Sequence, residues 1–120
     1  MEAAFSAGEV IRVGELEIHP REGLVLAGGR ALPMSVRELS LLVALSRNAG
    51  SVVRRDDLYA LAWGSALRRG DRTIDVYVHK LRMKLDDALP HWRHIHTHVG
   101  FGYRFAPEPS HAFHIPATGR

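Results

Sequence analysis

The chain has 120 residues, which is enough for one domain with a modest core and not for two. Hydrophobic residues make up 46% and charged residues 24%, as in a soluble globular protein, and the lack of cysteine excludes disulfides and thiolate metal sites. The net charge of +3 is mild; we expect no signal peptide, no membrane span and, given a cysteine-free chain, a cytoplasmic location.

The first third of the chain alternates short apolar runs with breaks that contain glycine or proline. The runs cover residues 10–13, 16–19, 24–26 and 31–32, and this pattern predicts an antiparallel meander of short strands. It carries no reactive chemistry, so we expect it to act as a scaffold for the rest of the domain. Residues 1–9 are expected to form a flexible N-terminus, and the folded domain is expected to span residues 10–107.

A helix is predicted from Ser35 to Asn48. Ser35 and Glu38 have the spacing of a capping box, in which each side chain bonds to the backbone amide of the other residue. Met34 and Leu39 are spaced as the hydrophobic staple that accompanies such a box. Apolar residues then recur at helical spacing and predict a buried face.

A second helix is predicted from Arg55 to Trp63, with acidic residues in its first turn. Leu58, Leu61 and Ala62 are expected to form its inner face. We interpret Trp63 as a core residue rather than as a side chain that stacks on a base. Residues 65–70 are expected to form a polar, basic loop.

The third helix, predicted at residues 72–87, carries the most information about function. Four aliphatic residues at helical spacing predict a narrow buried ridge: Ile74, Val78, Leu81 and Leu85. The opposite face is basic and polar, with one exposed β-branched residue, and consists of Arg72, Thr73, Val76, His79, Lys80, Met83 and Lys84. Residues 54–84 include eight basic and four acidic residues. Their local net charge of +4 suits a phosphate-binding surface. A solvated helix surface is the plainer alternative.

Two further strands, residues 95–99 and 103–105, flank a glycine-containing turn and predict a β-hairpin. Residues 108–120 show no periodicity and are expected to be a disordered tail. Tyr103 and Phe105 are expected to be core residues of the hairpin.

Two short helices, a third helix with a basic outer face and a glycine-tipped hairpin form the layout of a winged helix. The third helix has the core ridge and the donor face that insertion into a major groove requires. The alternative is a winged helix for protein–protein contact, with the basic loop 67–70 docking on an acidic partner. No nucleophile elbow or metal-ligand motif is present, so we expect no enzyme activity and no cofactor.

The chain resembles the OmpR/PhoB-type winged helix-turn-helix effector domain of bacterial response regulators. The matching segments, between residues 10 and 105, are Arg37-Glu38-Leu39, Leu42-Val43, Asn48-Ala49-Gly50, Val52-Val53-Arg54-Arg55 leading to Leu58, Trp63-Gly64, residues 71–78, residues 81–85 and residues 100–105. The resemblance implies an α+β fold with an N-terminal four-stranded antiparallel sheet, three helices and a C-terminal β-hairpin wing.

The resemblance also implies a function in transcription. It implies that helix 72–87 enters the major groove of double-stranded DNA and that wing 95–105 lies on adjacent backbone or minor groove. It further implies direct-repeat sites bound by head-to-tail dimers, and a loop that contacts RNA polymerase through Ser65, Leu67, Arg68 and Arg69. Such effectors follow a phosphorylatable receiver domain, for which this chain has no acidic pocket.

Site residues are inferred by position from the family. Base-facing residues are Val76, Lys80, Arg82 and Met83. Phosphate contacts are expected from Arg55, Arg72, Thr73, Tyr77, His79, Lys84, Thr97, His98 and Arg104. For Arg55 and Arg72 an internal pair with a neighbouring aspartate is an almost equal alternative.

Three positions depart from the family pattern. Lys80 stands where an arginine is frequent, and a lysine reads guanine with less geometric selectivity. Val99 stands where the wing carries an arginine, so we expect weak minor-groove reading unless Arg104 or a histidine substitutes. Arg54 stands where a capping serine is usual, so the second helix is expected to fray or to be capped differently.

Histidines 94, 96 and 98 alternate, so a regular strand would place all three on one face. Three imidazoles on one face can bind Zn²⁺ or Ni²⁺, but we favour exposed polar residues or phosphate contacts and expect no metal site. Partial protonation of these histidines would strengthen DNA binding at lower pH.

Overall fold

The computed structural model describes residues 8–65 and 71–110. These residues form seven strands and three helices, which we number in chain order. They are β1 (Ile11–Val13), β2 (Leu16–His19), β3 (Leu24–Ala27), β4 (Arg30–Ala31), α1 (Val36–Arg47), β5 (Val52–Val53), α2 (Arg55–Trp63), α3 (Thr73–Ala88), β6 (Trp92–His98) and β7 (Gly102–Pro109).

The N-terminal strands form one antiparallel sheet in the order β1-β2-β3-β4. Side chains alternate between its two faces, so Leu16 and Ile18 of β2 are buried together with Val25 and Ala27 of β3. This apolar face packs into the same core as the helices. The predicted meander is therefore confirmed as a four-stranded sheet that covers the core.

Helix α1 begins at the predicted capping box. The Ser35 hydroxyl accepts a hydrogen bond from the Glu38 amide at 3.2 Å, and the Glu38 carboxylate accepts one from the Ser35 amide at 2.8 Å. Leu41, Leu42 and Leu45 lie on its inner face and are fully buried. The cap and this face fix where α1 starts and which side meets the sheet.

Helix α2 has its predicted bounds, but one residue that was predicted for its inner face is exposed to solvent. Leu58 is fully buried, whereas 60% of Leu61 is exposed. The aromatic pair Tyr59 and Trp63 stacks at 5.5 Å and packs against the core, with Tyr77 of α3 edge-on to Trp63. Because these large rings occupy the side of α2 that meets the core, Leu61 turns to solvent. The prediction for Leu61 was wrong, and the one for Trp63 is confirmed.

The C-terminal strands form a second antiparallel sheet in the order β5-β7-β6. Its hairpin is longer than predicted, because Trp92 pairs with Pro109 and Arg93 with Glu108. Residues 108 and 109 are thus part of a strand, and the expectation of a disordered tail from residue 108 needs correction there. Residues 111–120 lie outside the described residues.

The pairing of β6 with β7 shifts register between Arg93 and Ile95, where β7 has one residue more than β6. His94 is buried, with 1% of its surface exposed, and stacks on Phe105 with ring centroids 5.8 Å apart. His96 and His98 remain partly exposed. The expectation of exposed histidines on one face was therefore wrong for His94, which lies in the core beside the register shift between β6 and β7.

Tyr103 and Phe105 are buried as predicted, and one continuous core joins both sheets and the three helices. Within the described residues, no helix has the length and apolar character needed to cross a membrane. The architecture is the expected α+β winged helix-turn-helix, with β6 and β7 as the wing.

Candidate nucleic-acid interface

Helix α3 is held in place by its aliphatic ridge. Four residues of this ridge are at most 1% exposed: Ile74, Val78, Leu81 and Leu85. They are the four residues that the sequence pattern predicts for the core. Because the ridge can face only inward, the opposite side of α3 must face solvent.

The outward side of α3 presents what we call the exposed stripe: Val76, Lys80 and Met83. These residues are four and three positions apart and therefore lie above one another on the helix. Val76 is 49% and Met83 60% exposed. The Lys80 ammonium lies 4.8 Å from the ring centroid of Tyr77, and no described acidic side chain pairs with it. The stripe thus combines a cation that lacks an anionic partner among the described residues with two apolar side chains.

The first turn of α3 is anchored through Asp75. Its carboxylate accepts hydrogen bonds from Arg55 at 3.0 and 2.9 Å, from Arg72 at 3.3 Å and from the Tyr103 hydroxyl at 2.6 Å. Arg55 also donates to the Asp71 carbonyl at 2.9 Å. One carboxylate therefore links α2, α3 and the wing.

The contacts around Asp75 shift the pKa values of Asp75 and Tyr103. Burial by itself would raise the pKa of Asp75, but the hydrogen bonds from Arg55 and Tyr103 outweigh it and leave this pKa below its usual value. Burial and the Asp75 hydrogen bond raise the pKa of Tyr103 to about 12. Asp75 is therefore ionised and Tyr103 a neutral donor at neutral pH.

Two of the predicted phosphate contacts belong to this anchor. Arg55 forms the internal pair that was the alternative interpretation, with about a third of its side chain exposed. Arg72 touches the same carboxylate, but 78% of its side chain is exposed. Thr73 donates from its amide and its hydroxyl to the Asp71 carboxylate. Of these three side chains, Arg72 is the most available to a ligand.

Arg82, predicted to face bases, connects α3 to the wing in this structure. Its Nε donates to the Ile95 carbonyl at 3.2 Å, and its Nη2 donates to the Thr97 hydroxyl at 2.6 Å. Its guanidinium also lies 5.9 Å from the ring centroid of Tyr103. Arg82 and Thr97 thus set the angle between the helix and the hairpin.

Lys84 lies at the other end of the outer face and is engaged with α1. Its ammonium donates to the Glu38 carboxylate at 2.6 Å and to the Pro33 carbonyl at 2.9 Å. Burial opposes ionisation of Glu38, but the bonds from Lys84 and from the Ser35 amide leave the Glu38 pKa below its usual value. Lys84 therefore stabilises the start of α1.

In the wing, the predicted phosphate contacts Arg104 and His98 contact each other. Arg104 Nε donates to His98 Nε2 at 3.1 Å, and its Nη2 donates to Glu108 at 3.0 Å. Of the remaining predicted contacts, His79 is exposed and Tyr77 is half-buried against Trp63.

An open cleft of about 430 Å³ lies between the wing and the start of α2. Its walls include Arg54 at the beginning of α2, and Val99 and Phe101 on either side of the hairpin turn. Three quarters of the Arg54 side chain is exposed; it lies 3.5 Å from the Asp56 carboxylate and makes no cap hydrogen bond to the first turn of α2. Sequence reasoning treats Arg54 only as a cap and misses that it lines this cleft. Its place at a helix start in a basic segment is the one sequence signal for an exposed cation there.

Asp75 was missed as well. Acidic residues are not expected on a DNA-facing helix, and nothing in the local spacing shows that three elements converge on it. Of the predicted polymerase-contact residues, Ser65 is exposed, and Leu67, Arg68 and Arg69 lie outside the described residues.

The family described as "Transcriptional regulatory protein, C terminal" matches residues 29–105. The transcriptional regulatory protein KdpE of Mycobacterium tuberculosis is 36% identical over 81 residues, which are 68% of this chain and 36% of KdpE. The phosphate regulon transcriptional regulatory protein PhoB of Escherichia coli is 35% identical over 98 residues, which are 82% of this chain and 42% of PhoB. The chain spans less than half the length of these curated relatives.

Solved structures agree with this similarity. The DNA-binding domain of RstA from Klebsiella pneumoniae, in complex with the RstA box, has a TM-score of 0.73 and 33% identity, over 83% of this chain and 99% of that one. The DNA-binding domain of CpxR from E. coli has a TM-score of 0.73 and 28% identity, over 82% of this chain and 96% of that one.

Proposed function

Since the chain belongs to the family of C-terminal domains of transcriptional regulatory proteins, of the OmpR/PhoB type, we propose that it binds double-stranded DNA sequence-specifically and regulates transcription. The DNA-bound state of the similar RstA domain supports the choice of ligand. This family is one of DNA-binding regulators and not of enzymes. A cytoplasmic location follows from a role in bacterial transcription and is part of the proposal.

The single observation that carries the proposal is the exposed stripe on α3. A major groove is about 12 Å wide and admits one helix. With α3 in the groove, Lys80 donates to guanine O6 or N7, and Val76 makes apolar contact with a thymine methyl. Met83 extends the apolar contact by one turn. Arg82 contributes by holding the wing at a fixed angle to the helix.

The phosphate contacts of this proposal fall into two groups. Arg72, Arg54 and His79 are exposed and can meet the backbone directly, although Arg72 also contacts Asp75 and Arg54 contacts Asp56. Six further predicted contacts are hydrogen-bonded within the domain and must share or exchange these partners on binding: Arg55, Thr73, Lys84, Thr97, His98 and Arg104. Tyr77 reaches the backbone only through its hydroxyl. Phosphate contacts set register without reading sequence.

The partners of the whole regulator are also proposals. Direct-repeat sites occupied by head-to-tail pairs, and a contact of residues 65–69 with RNA polymerase, follow from the family resemblance. An Arg68→Ala variant separates these roles, because it should keep DNA affinity while transcription from a target promoter falls. Equal loss in both assays would remove the separate role of the loop.

Selection of bound sequences from random duplex DNA, followed by a salt titration, tests the proposed function. We expect an enriched motif, with a repeat whose spacing gives the arrangement of the bound copies. The affinity should fall steeply with salt, because bound phosphates release counterions. No enriched motif and an affinity independent of salt would instead favour a winged helix that binds protein.

A further inference from the structure

The tip of the wing is apolar. Val99 is 87% exposed and Phe101 is 72% exposed, and they flank Gly100, whose φ of +82° makes the turn. Both side chains are more exposed than any apolar side chain of α3. Burial of large apolar side chains is favourable, so their presentation to solvent at one protruding point marks a contact surface.

The wing tip carries no lysine or arginine beside these apolar residues. Residues 97–102 contain neither arginine nor lysine. The nearest wing arginine, Arg104, lies opposite His96, below the turn, and its guanidinium is engaged by His98 and Glu108. The sequence-based suggestion that Arg104 replaces a wing-tip arginine therefore finds no support in this geometry.

The hairpin holds this tip rigidly. Gly102 packs so closely on the Val53 carbonyl that a Cβ atom would lie 2.0 Å from its oxygen. On the other strand, Arg82 bonds to Ile95 and Thr97, and Thr97 is two residues from Val99. Two strand residues span about 7 Å, so the tip projects by only that distance beyond the point that α3 fixes.

The tip is continuous with the proposed DNA surface. The cleft between the wing and α2 has Val99 and Phe101 on one wall and exposed Arg54 on the other. On a duplex, a single sugar–phosphate strand separates a major groove from the next minor groove. With α3 in the major groove, that strand would run along the cleft beside Arg54 and Asp56, and the wing tip would reach the minor groove.

We propose that Val99 and Phe101 enter the adjacent minor groove and pack against its deoxyribose walls, as an apolar contact in place of an electrostatic one. This inference rests on the proposed function and deepens it, since it makes the wing tip a determinant of specificity. A narrow A-tract groove attracts cations through its negative potential and resists a bulky ring. The protein should therefore prefer flexible flanks with a wider groove, such as those with TA or CA steps.

The test compares wild type with Phe101→Ala, Val99→Arg and Val36→Ala on the selected site. Val36 is 80% exposed at the start of α1 and serves as the matched control. We expect Phe101→Ala to lower affinity about 5- to 10-fold with an unchanged salt slope, because no charge is lost. Val99→Arg should steepen the salt slope by about one ion and shift the preference to A-tract flanks. Val36→Ala should bind as wild type.

Wild-type binding by Phe101→Ala, or a wild-type preference for A-tract flanks, would overturn the inference. Lys80→Ala in the same series keeps this result separate from the proposed function. If Lys80→Ala loses affinity and Phe101→Ala does not, only the wing inference fails. If no variant and no salt concentration changes affinity, the proposed function fails. Thermal unfolding of each variant confirms that it is folded.

Discussion

The Arg55 guanidinium spans both carboxylate oxygens of Asp75, at 3.0 and 2.9 Å, and so ties the start of α2 to the first turn of α3. Such two-point pairs fix orientation as well as distance. The same carboxylate receives the Tyr103 hydroxyl from the wing. The relative placement of α2, α3 and the wing therefore depends on one partly buried acidic group.

Replacement of Asp75 by asparagine should destabilise the domain. The change removes the charge that pairs with Arg55, and some of the groups that donate to Asp75 lose their acceptor. The free energy of unfolding should therefore fall by about 1–3 kcal/mol. Urea unfolding measures it. Asp87→Asn is the control, because Asp87 lies on the same helix, is exposed and forms no ion pair within residues 8–65 and 71–110; its effect should stay within about 0.5 kcal/mol. Equal effects of both variants would show that Asp75 is no anchor.

Arg82 and Thr97 should be energetically coupled. In a double-mutant cycle with Arg82→Met and Thr97→Val, we expect the double variant to lose about 0.5–1.5 kcal/mol less stability than the two single variants summed. The reason is that both single changes break the same 2.6 Å hydrogen bond. Chemical denaturation of the four proteins gives the coupling. Strict additivity would mean that Arg82 does not hold the wing, and its base-facing role would gain support.

Stability should decrease as the pH falls from 7 to 5 because of His94. Neither of its ring nitrogens has a hydrogen-bond partner among the described residues, and burial lowers its pKa despite nearby Asp86 and Glu15. The unfolded chain then binds the proton more readily, so stability is complete above about pH 6.5 and declines below it. Denaturation midpoints against pH measure this loss.

Variants identify His94 as the source of this loss. His94→Leu should flatten the profile between pH 7 and 5, whereas His79→Leu, at an exposed position of α3, should leave it as in wild type. A wild-type slope that persists in His94→Leu would assign the pH dependence to other groups.

Gly102 should not tolerate a side chain. Its φ is +153°, and an added Cβ would collide with the Val53 carbonyl, so Gly102→Ala should cost about 3 kcal/mol or more and displace the wing from β5. Gly23→Ala is the control, because Gly23 also has positive φ, +66°, but open space around it. That change should cost only about 1–2 kcal/mol. Thermal unfolding of both variants measures these losses of stability. Equal losses would contradict the steric explanation.

Local signals predicted most of the fold. The α1 capping box, the aliphatic ridge of α3 and the glycine-tipped hairpin all depend on residues close in sequence, and the structure contains each of them. Leu61 was misplaced because the orientation of α2 is set by contacts of Trp63 with another helix. The register shift between β6 and β7 near His94 has no signature in the alternation of β6, so the burial of His94 could not be predicted.

The outer face of α3 was predicted as a basic and polar surface with one exposed β-branched residue. Tertiary contacts decide which of its cations have partners within the domain. Lys84 meets Glu38, which is 46 residues earlier in the chain, and Arg82 meets Thr97, 15 residues later. Spacing on one helix cannot show such partners. Among the predicted base-facing residues, Lys80 is the exposed cation for which the described part of the chain supplies no anion.

The most direct test of the central claim is a loss-of-contact measurement on Lys80. Affinities of wild type, Lys80→Ala and Arg21→Ala are measured at fixed salt, for the selected site and for a set with each base pair changed in turn. Arg21 is an exposed arginine on the turn between β2 and β3 and controls for lost charge. We predict that Lys80→Ala lowers the binding free energy for the selected site by about 1–3 kcal/mol and no longer discriminates between bases at one position. Arg21→Ala should keep the wild-type pattern of base preference. A Lys80→Ala profile with undiminished discrimination at every position would contradict base reading by the exposed stripe.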